Sequence, residues 1–210
     1  MASLLHIQVS PSGAYSVSRS IADAFTESWS AANPGGKIID KDLVENPIPH
    51  LDGEAIYANY VPAEQQSDKM KEKHAYRLAL IAEITGVDEI LISTPMWNWS
   101  IPSVLKAYID QIVLTGVLDG SGNSGLSGKK ITFVVSQGGS YKAGTPKAGW
   151  DLATKYLELV AKALGATDVQ TILAEFTLAG VAPGMEAFIQ AKEASIAEAT
   201  DKAVKRAGLK

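Results

Sequence analysis

The chain has 210 residues, of which 46% are hydrophobic and 20% charged, and it contains no cysteine. These proportions suit one globular domain over residues 1–210 and exclude a chain disordered throughout. A net charge of −4 lacks the basic field that nucleic acid or an anionic membrane requires. Without cysteine there are no disulfides, thiolate nucleophiles or iron–sulfur clusters, so any electrons handled here need a bound cofactor.

Residues 4–9 read as a first strand. Val17, Ile21, Phe25 and Trp29 then recur every four residues, which predicts a helix. Residues 37–43 (KIIDKDL) read as a second, more polar strand, followed by a loop rich in Pro and Asn over 46–53. Met70, His74, Leu78, Ile81 and Thr85 predict a second helical face. Residues 89–93 are a third strand, and Pro102 opens a third helix, where its missing N–H costs nothing. Residues 130–136 (KITFVVS) are a fourth strand, and Leu152, Tyr156, Leu159, Val160 and Ala163 mark a fourth helix. A fifth strand over 170–176 and a last helix from Met185 to about Ala207 complete the pattern. Five βα units imply an α/β fold with a parallel sheet and helices on both faces. No run approaches the roughly 18 consecutive apolar residues of a membrane span. The first ten residues have no basic n-region, so a soluble, cytoplasmic protein is expected.

In such a sheet ligands sit outside the carboxyl ends of the strands, so the residues after each strand carry the information. After the first come Ser10, Ser12, Ser16 and Ser18, with Ser16 or Ser18 where the helix begins. A helix start can hold a phosphate on its free amides, or the serines are helix caps alone. The segment has neither GxxxxGK[ST] nor GxGxxG. A GxGxxG at 120–125 follows a helix and precedes a strand, the wrong context for nucleotide binding. After the third strand, Met96-Trp97-Asn98-Trp99 sets two indoles beside an amide, which suits a flat heteroaromatic ring. The tryptophans as core or subunit contacts are the alternative. After the fourth strand, Ser136-Gln137-Gly138-Gly139 allows close backbone approach to a ligand. His6, His50 and His74 are far apart in sequence and no clustered carboxylates appear, so no metal site is expected. No GxSxG elbow supports a serine hydrolase.

Together these loops resemble the FMN-dependent NADH:azoreductases, within the flavodoxin-like quinone reductases. The matching residues are Ser10 with Ser16-Val17-Ser18, Asn46-Pro47-Ile48-Pro49 with Asp52-Gly53, the run Pro95-Met96-Trp97-Asn98-Trp99-Ser100-Ile101-Pro102, Leu105-Lys106 with Asp110, and Gly138-Gly139 with Tyr141. The resemblance spans almost the whole chain in order and spacing. It implies a flavodoxin-like five-stranded parallel sheet and a homodimer with one FMN per subunit and active sites at the subunit interface. Ser10, Ser16, Val17 and Ser18 would hold the FMN phosphate and ribityl end. Met96, Trp97, Asn98, Trp99, Ser136, Gln137, Gly138 and Gly139 would line the isoalloxazine. The family passes hydride from NADH through flavin N5 to a quinone or azo compound by ping-pong, with no obligatory acid–base side chain. Exposed-looking Tyr57, Tyr60, Trp97 and Trp99 fit the homodimer. A pure electron carrier is the competing reading, against which −4 over 210 residues is a weak docking charge.

Two departures bear on the acceptor. Both aromatics of the PMWNW run are Trp, where Tyr and Phe are commoner in the family. Residues 116–128 are glycine-rich and lack the aromatic residue usual in that loop, so a pocket without a lid is expected, with an aromatic substitution at Leu118 able to supply one.

Overall fold

The computed structural model describes residues 1–121 and 125–208. Five strands, β1 (Ser3–Gln8), β2 (Lys37–Asp42), β3 (Glu89–Pro95), β4 (Lys130–Ser136) and β5 (Asp168–Ala174), pair in parallel in the order β2-β1-β3-β4-β5. The helices are α1 (Val17–Ala32), α2 (Gly53–Tyr57), α3 (Asp68–Thr85), α4 (Ser103–Ile112), α5 (Leu152–Ala163) and α6 (Ile189–Gly208). The expected α/β parallel sheet is what the chain forms, in the flavodoxin-like strand order.

Alternation along the strands sends residues to two separate cores. From β1, Leu5 and Ile7 join Leu80, Ile84, Tyr108 and Leu157 of α3, α4 and α5 on one face. Leu4 goes to the other face, where Phe25 and Trp29 of α1 meet the alanines 199, 203 and 207 of α6. β3 and β4 are covered on both sides and accordingly read as nearly unbroken apolar runs. β2 lies at an edge and is only half-buried, hence its lysines and aspartates. His6 is buried on the α1 face, 3.0 Å from Asp40 Oδ1 and 3.2 Å from Ser93 Oγ. Burial holds its pKa below the ordinary histidine value, partly offset by Asp40.

Four features differ from the sequence expectations. The 46–53 loop leads into a short helix, α2, capped by the Asp52 side chain on the Ala55 amide. β5 begins two residues before the expected 170 and ends at Ala174. On α3 the inward residues are Arg77, Leu80, Ile81 and Ile84, while Leu78 is exposed. Buried Arg77 donates to the carbonyls of Ala55, Asp110, Gln111 and Val113, satisfying the C-terminal end of α4 and a carbonyl of α2.

The fourth feature is residues 116–128. They join α4 to β4, which places them at the amino end of the sheet, opposite the strand ends where ligands bind. Leu114 and Leu118 exchange two backbone hydrogen bonds of 2.9 Å, and the Leu118 side chain is fully buried. Leu126 donates its amide to Leu164, also at that end. Gly120 packs so tightly that an added Cβ would sit 2.3 Å from the Ala163 carbonyl oxygen. Leu118 is therefore a core residue and not a lid position. Residues 122–124, the centre of the GxGxxG run, lie outside the described residues.

Candidate functional site

The strand order reverses between β1 and β3, the crossover point at which doubly wound sheets bind ligands. An open cleft lies there, walled by the segments that follow β1, β3, β4 and β5.

The first wall leaves β1 through a single 3-10 turn over residues 13–15, with Gly13 at φ +50°. Ser16 caps α1, its Oγ accepting from the Arg19 amide at 3.2 Å. The amides of Val17 and Ser18, one and two positions earlier, have no hydrogen-bond partner among the described residues. With the positive end of the helix dipole behind them they form an anion-binding corner. Ser10 stands beside it, nearly buried. Arg19 is not free to serve that corner: its Nη2 is 2.6 Å from Asp42 Oδ2 and donates to the Ser10 carbonyl at 3.4 Å. Partial burial of Asp42 is outweighed by the Val44 and Glu45 amides and by Arg19, which hold its carboxyl below the usual carboxylate range. An anion here is met by neutral donors.

The second wall is a tight hairpin. Met96 donates to the Ser136 carbonyl at 2.8 Å, and Trp97 and Ser100 exchange hydrogen bonds of 2.9 and 3.0 Å. Between them Asn98 (φ +48°) and Trp99 (φ +64°) are both left-handed, the geometry of a type I′ turn. Asn tolerates that region; Trp does not do so readily, and such strain persists only where its surroundings enforce it. Trp99 is held edge-on to Trp150, ring centroids 5.6 Å apart, while its carbonyl accepts from the Leu152 amide at 2.9 Å. Trp97 and Trp99 remain 45% and 43% exposed.

The last two walls interlock. The Gln137 amide donates to Ala174, and the Gln137 carbonyl accepts from both the amide and the hydroxyl of Thr177. The Gln137 side chain turns inward to Asp151, Nε2 to Oδ2 at 2.7 Å. A Cβ at Gly138 would sit 2.6 Å from Leu178 Cδ1, so that half-exposed side chain would have to shift, whereas Gly139 faces open space. Buried Glu175 fixes this loop by accepting from Ser140 Oγ at 2.7 Å and pairing with Lys142.

Of the residues expected from sequence, the cleft brings together Ser10, Ser16, Val17, Met96, Trp97, Ser136 and Gly138. Ser18 is fully buried, its Oγ 3.3 Å from Ser16 Oγ, so its amide and not its hydroxyl is available. Asn98 and Trp99 form the hairpin tip beside the cleft, Gln137 is occupied by Asp151, and Gly139 lines a neighbouring groove. Thr177, Leu178 and Val181 of the fourth wall escape sequence reading, because a fifth strand placed two residues late hides where its loop begins. Among the described residues no group of three or more His, Asp or Glu side chains could hold a metal ion, and no helix is long and apolar enough to cross a membrane.

A family model described as a flavodoxin-like fold matches residues 2–204, a span that includes every wall of the cleft. The chain is 44% identical over 211 aligned positions to a Frankia casuarinae protein named FMN-dependent NADH:quinone oxidoreductase, with 100% of each chain covered. A Frankia alni protein of the same name is 40% identical over 197 positions, covering 93% of each. Among solved structures, an azoreductase from Bacillus anthracis superposes with a TM-score of 0.84 at 23% identity, over 99% of both chains. By this evidence of sequence and form the chain belongs to the flavodoxin-like fold family, among the proteins named FMN-dependent NADH:quinone oxidoreductase.

Proposed function

We propose that residues 1–210 act as one FMN-binding unit that uses NADH to reduce quinones, and azo compounds as a second acceptor class. The observation that carries this reading is the pair of partnerless amides, Val17 and Ser18, opening on a cleft whose facing wall is the Met96–Trp99 hairpin. The residues fit the cofactor. A terminal phosphate suits the neutral corner made by these amides with the Ser10 and Ser16 hydroxyls, since charge-assisted hydrogen bonds are the strong ones. The half-exposed indoles and the Met96 side chain offer an apolar bed for a flat ring, next to the opening at Gly139.

FMN, when bound, would supply two-electron chemistry between NADH and the acceptor, the two substrates alternating at one site. The chain binds, orients and excludes water. Ser16, Val17 and Ser18 would hold one end of the cofactor, and the hairpin the other. No side chain is assigned an acid–base role. The homodimer belongs to the same proposal, supported by exposed Tyr57, Tyr60, Trp97 and Trp99, as does a cytoplasmic location.

Purified protein tests the reading directly. It should be yellow, release FMN and not FAD on heating as identified by mass, bleach on anaerobic addition of NADH, and oxidise NADH steadily with a quinone. Parallel double-reciprocal lines would support alternation of substrates. FAD in the extract, or no flavin after reconstitution, would overturn it. Sedimentation showing a fully active monomer would remove the dimer.

A further inference from the structure

A second groove runs beside the cleft and shares two of its residues, Gly138 and Leu178. It is open and is built from the loop after β4 and the segment after β5. Gly138, Gly139 and Tyr141 on its rim belong to the loop matched in the sequence, while Lys147, Phe176, Met185 and Phe188 are used by neither the sequence motifs nor the cofactor reading. Its floor is aromatic: Phe176 and Phe188 stack with centroids 5.2 Å apart and planes within 9° of parallel. Phe176 sits at φ +58°, a left-handed conformation a phenylalanine rarely adopts. The strain is enforced on both sides, by the Phe176 amide donating to Gly139 and its carbonyl accepting from Ala179. Together with Asn98 and Trp99, all the left-handed non-glycine residues among the described positions lie at this end of the sheet. Backbone strain gathered in this way is characteristic of binding surfaces.

The groove offers one cation to an anion. Lys147 lines it, and its ammonium makes no hydrogen bond or ion pair among the described residues. Glu175 is neutralised by Lys142, while Glu186 and Asp151 accept from neutral donors, the Gly184 amide and the Gln137 side chain with the cap of α5, and do not pair with Lys147. Met185 and Tyr141 add further apolar wall.

We propose that this groove binds the non-reacting, anionic aromatic portion of a molecule that exchanges electrons in the adjoining cleft, with Phe176 and Phe188 stacking its ring and Lys147 meeting its charge. The proposal rests on the cofactor reading above for what happens in the adjoining cleft, but not for the groove itself. Two reactants carry that chemistry: an acceptor with an acidic aryl group, or the adenine nucleotide half of NADH.

The test begins with isothermal titration of FMN-loaded protein with 2-naphthalenesulfonate. Binding is expected, weakened about tenfold by Phe188→Ala, the order of one lost ring contact, and by the exposed Lys147→Glu. FMN affinity and melting temperature should be unchanged in Lys147→Glu. Steady-state kinetics then separate the sources. If the acceptor occupies the groove, both variants raise KM for 1,2-naphthoquinone-4-sulfonate with kcat preserved, Lys147→Glu leaves KM for uncharged menadione alone, and KM for NADH holds. If NADH occupies it, its KM rises and those of the quinones hold. No sulfonate binding to the wild-type protein, or binding and every KM unmoved in both variants, would overturn the proposal, as would an equal loss of FMN affinity in Lys147→Glu. Should the protein carry no flavin, the cofactor reading fails by itself, and the same titration on the flavin-free chain still decides the groove.

Discussion

At the amino end of the sheet, residues 116–128 are glycine-rich yet closed down: Leu118 and Leu126 are buried, and Gly120 and Gly125 are pressed against Ala163 and Leu118. At the carboxyl end, the segments after β1, β3, β4 and β5 leave amides without partners among the described residues, indoles half-exposed and three non-glycine residues in left-handed conformations. Among the described residues the first region packs Leu118 and Leu126 inward, while the second leaves amides and indoles uncovered. In a sheet this well buried, unmet needs concentrated at one end mark the end that takes a ligand. Composition alone hides the difference, because glycine serves tight packing at one end and open approach, at Gly139, at the other.

The sharpest way to break that division is Leu118→Ala. Truncating a fully buried leucine should cost about 2–5 kcal/mol, read as a lower urea midpoint, while the folded fraction binds FMN as before. A variant with its midpoint intact and its FMN affinity lost would put residues 116–128 back at the site.

Next in size is Ser16. Ser16→Ala removes a helix cap worth about 0.5–2 kcal/mol, whereas Ser16→Gly costs only a few tenths. Ser16→Gly should therefore weaken FMN binding about tenfold, given one lost hydroxyl donor to a charged acceptor, and leave the melting temperature of the flavin-free protein nearly unchanged. Equal losses of stability in the Ala and Gly variants with unaltered FMN affinity would reduce Ser16 to a cap.

His6 sharpens the comparison from inside the sheet. Its pKa in the folded protein lies below the ordinary 6.5 because burial disfavours the charged imidazolium. The unfolded chain therefore binds the proton first. The contribution is fully present above pH 6.5 and is lost as pH falls through the folded value. Chemical denaturation at pH 7.5, 6.5 and 5.5 should show falling stability, and His6→Asn should flatten that slope while lowering stability at every pH. A variant slope as steep as the wild type would assign the effect to other groups.

The smallest effect belongs to Asn98→Gly. Glycine suits the left-handed position of a type I′ turn, so stability should change by only a few tenths of a kcal/mol. FMN affinity and the flavin absorption spectrum should nonetheless shift, because the amide at the hairpin tip is gone. An unchanged spectrum would make Asn98 a turn residue alone.

Much of this was legible in the chain. β3 and β4 announce themselves as unbroken apolar runs, α1 by its four-residue stripe, and the anion corner by serines at a helix start. What stayed hidden depended on partners distant in sequence. The inward face of α3 contains an arginine, which no hydrophobic pattern reveals until the carbonyls at the end of α4 are brought to it. Gln137 looked like a ligand-facing amide and is instead consumed by Asp151, fourteen residues on. α2 is five residues long, too short for periodicity, and only the Asp52 cap hints at it. The glycines of 116–128 read as an open loop because close packing and openness leave the same sequence signature. The Phe176–Phe188 stack joins two segments that each read as an unremarkable turn.

The central claim is that the partnerless amides at the start of α1 hold a phosphate without help from Arg19. Titrating flavin-free protein in parallel with FMN and with riboflavin, which differ only in that phosphate, tests it most directly. Two or three charge-assisted hydrogen bonds predict FMN binding on the order of a hundredfold tighter or more, with only about tenfold of the difference lost in Ser16→Gly, which leaves the amides in place. Equal affinities for the two flavins would contradict the account.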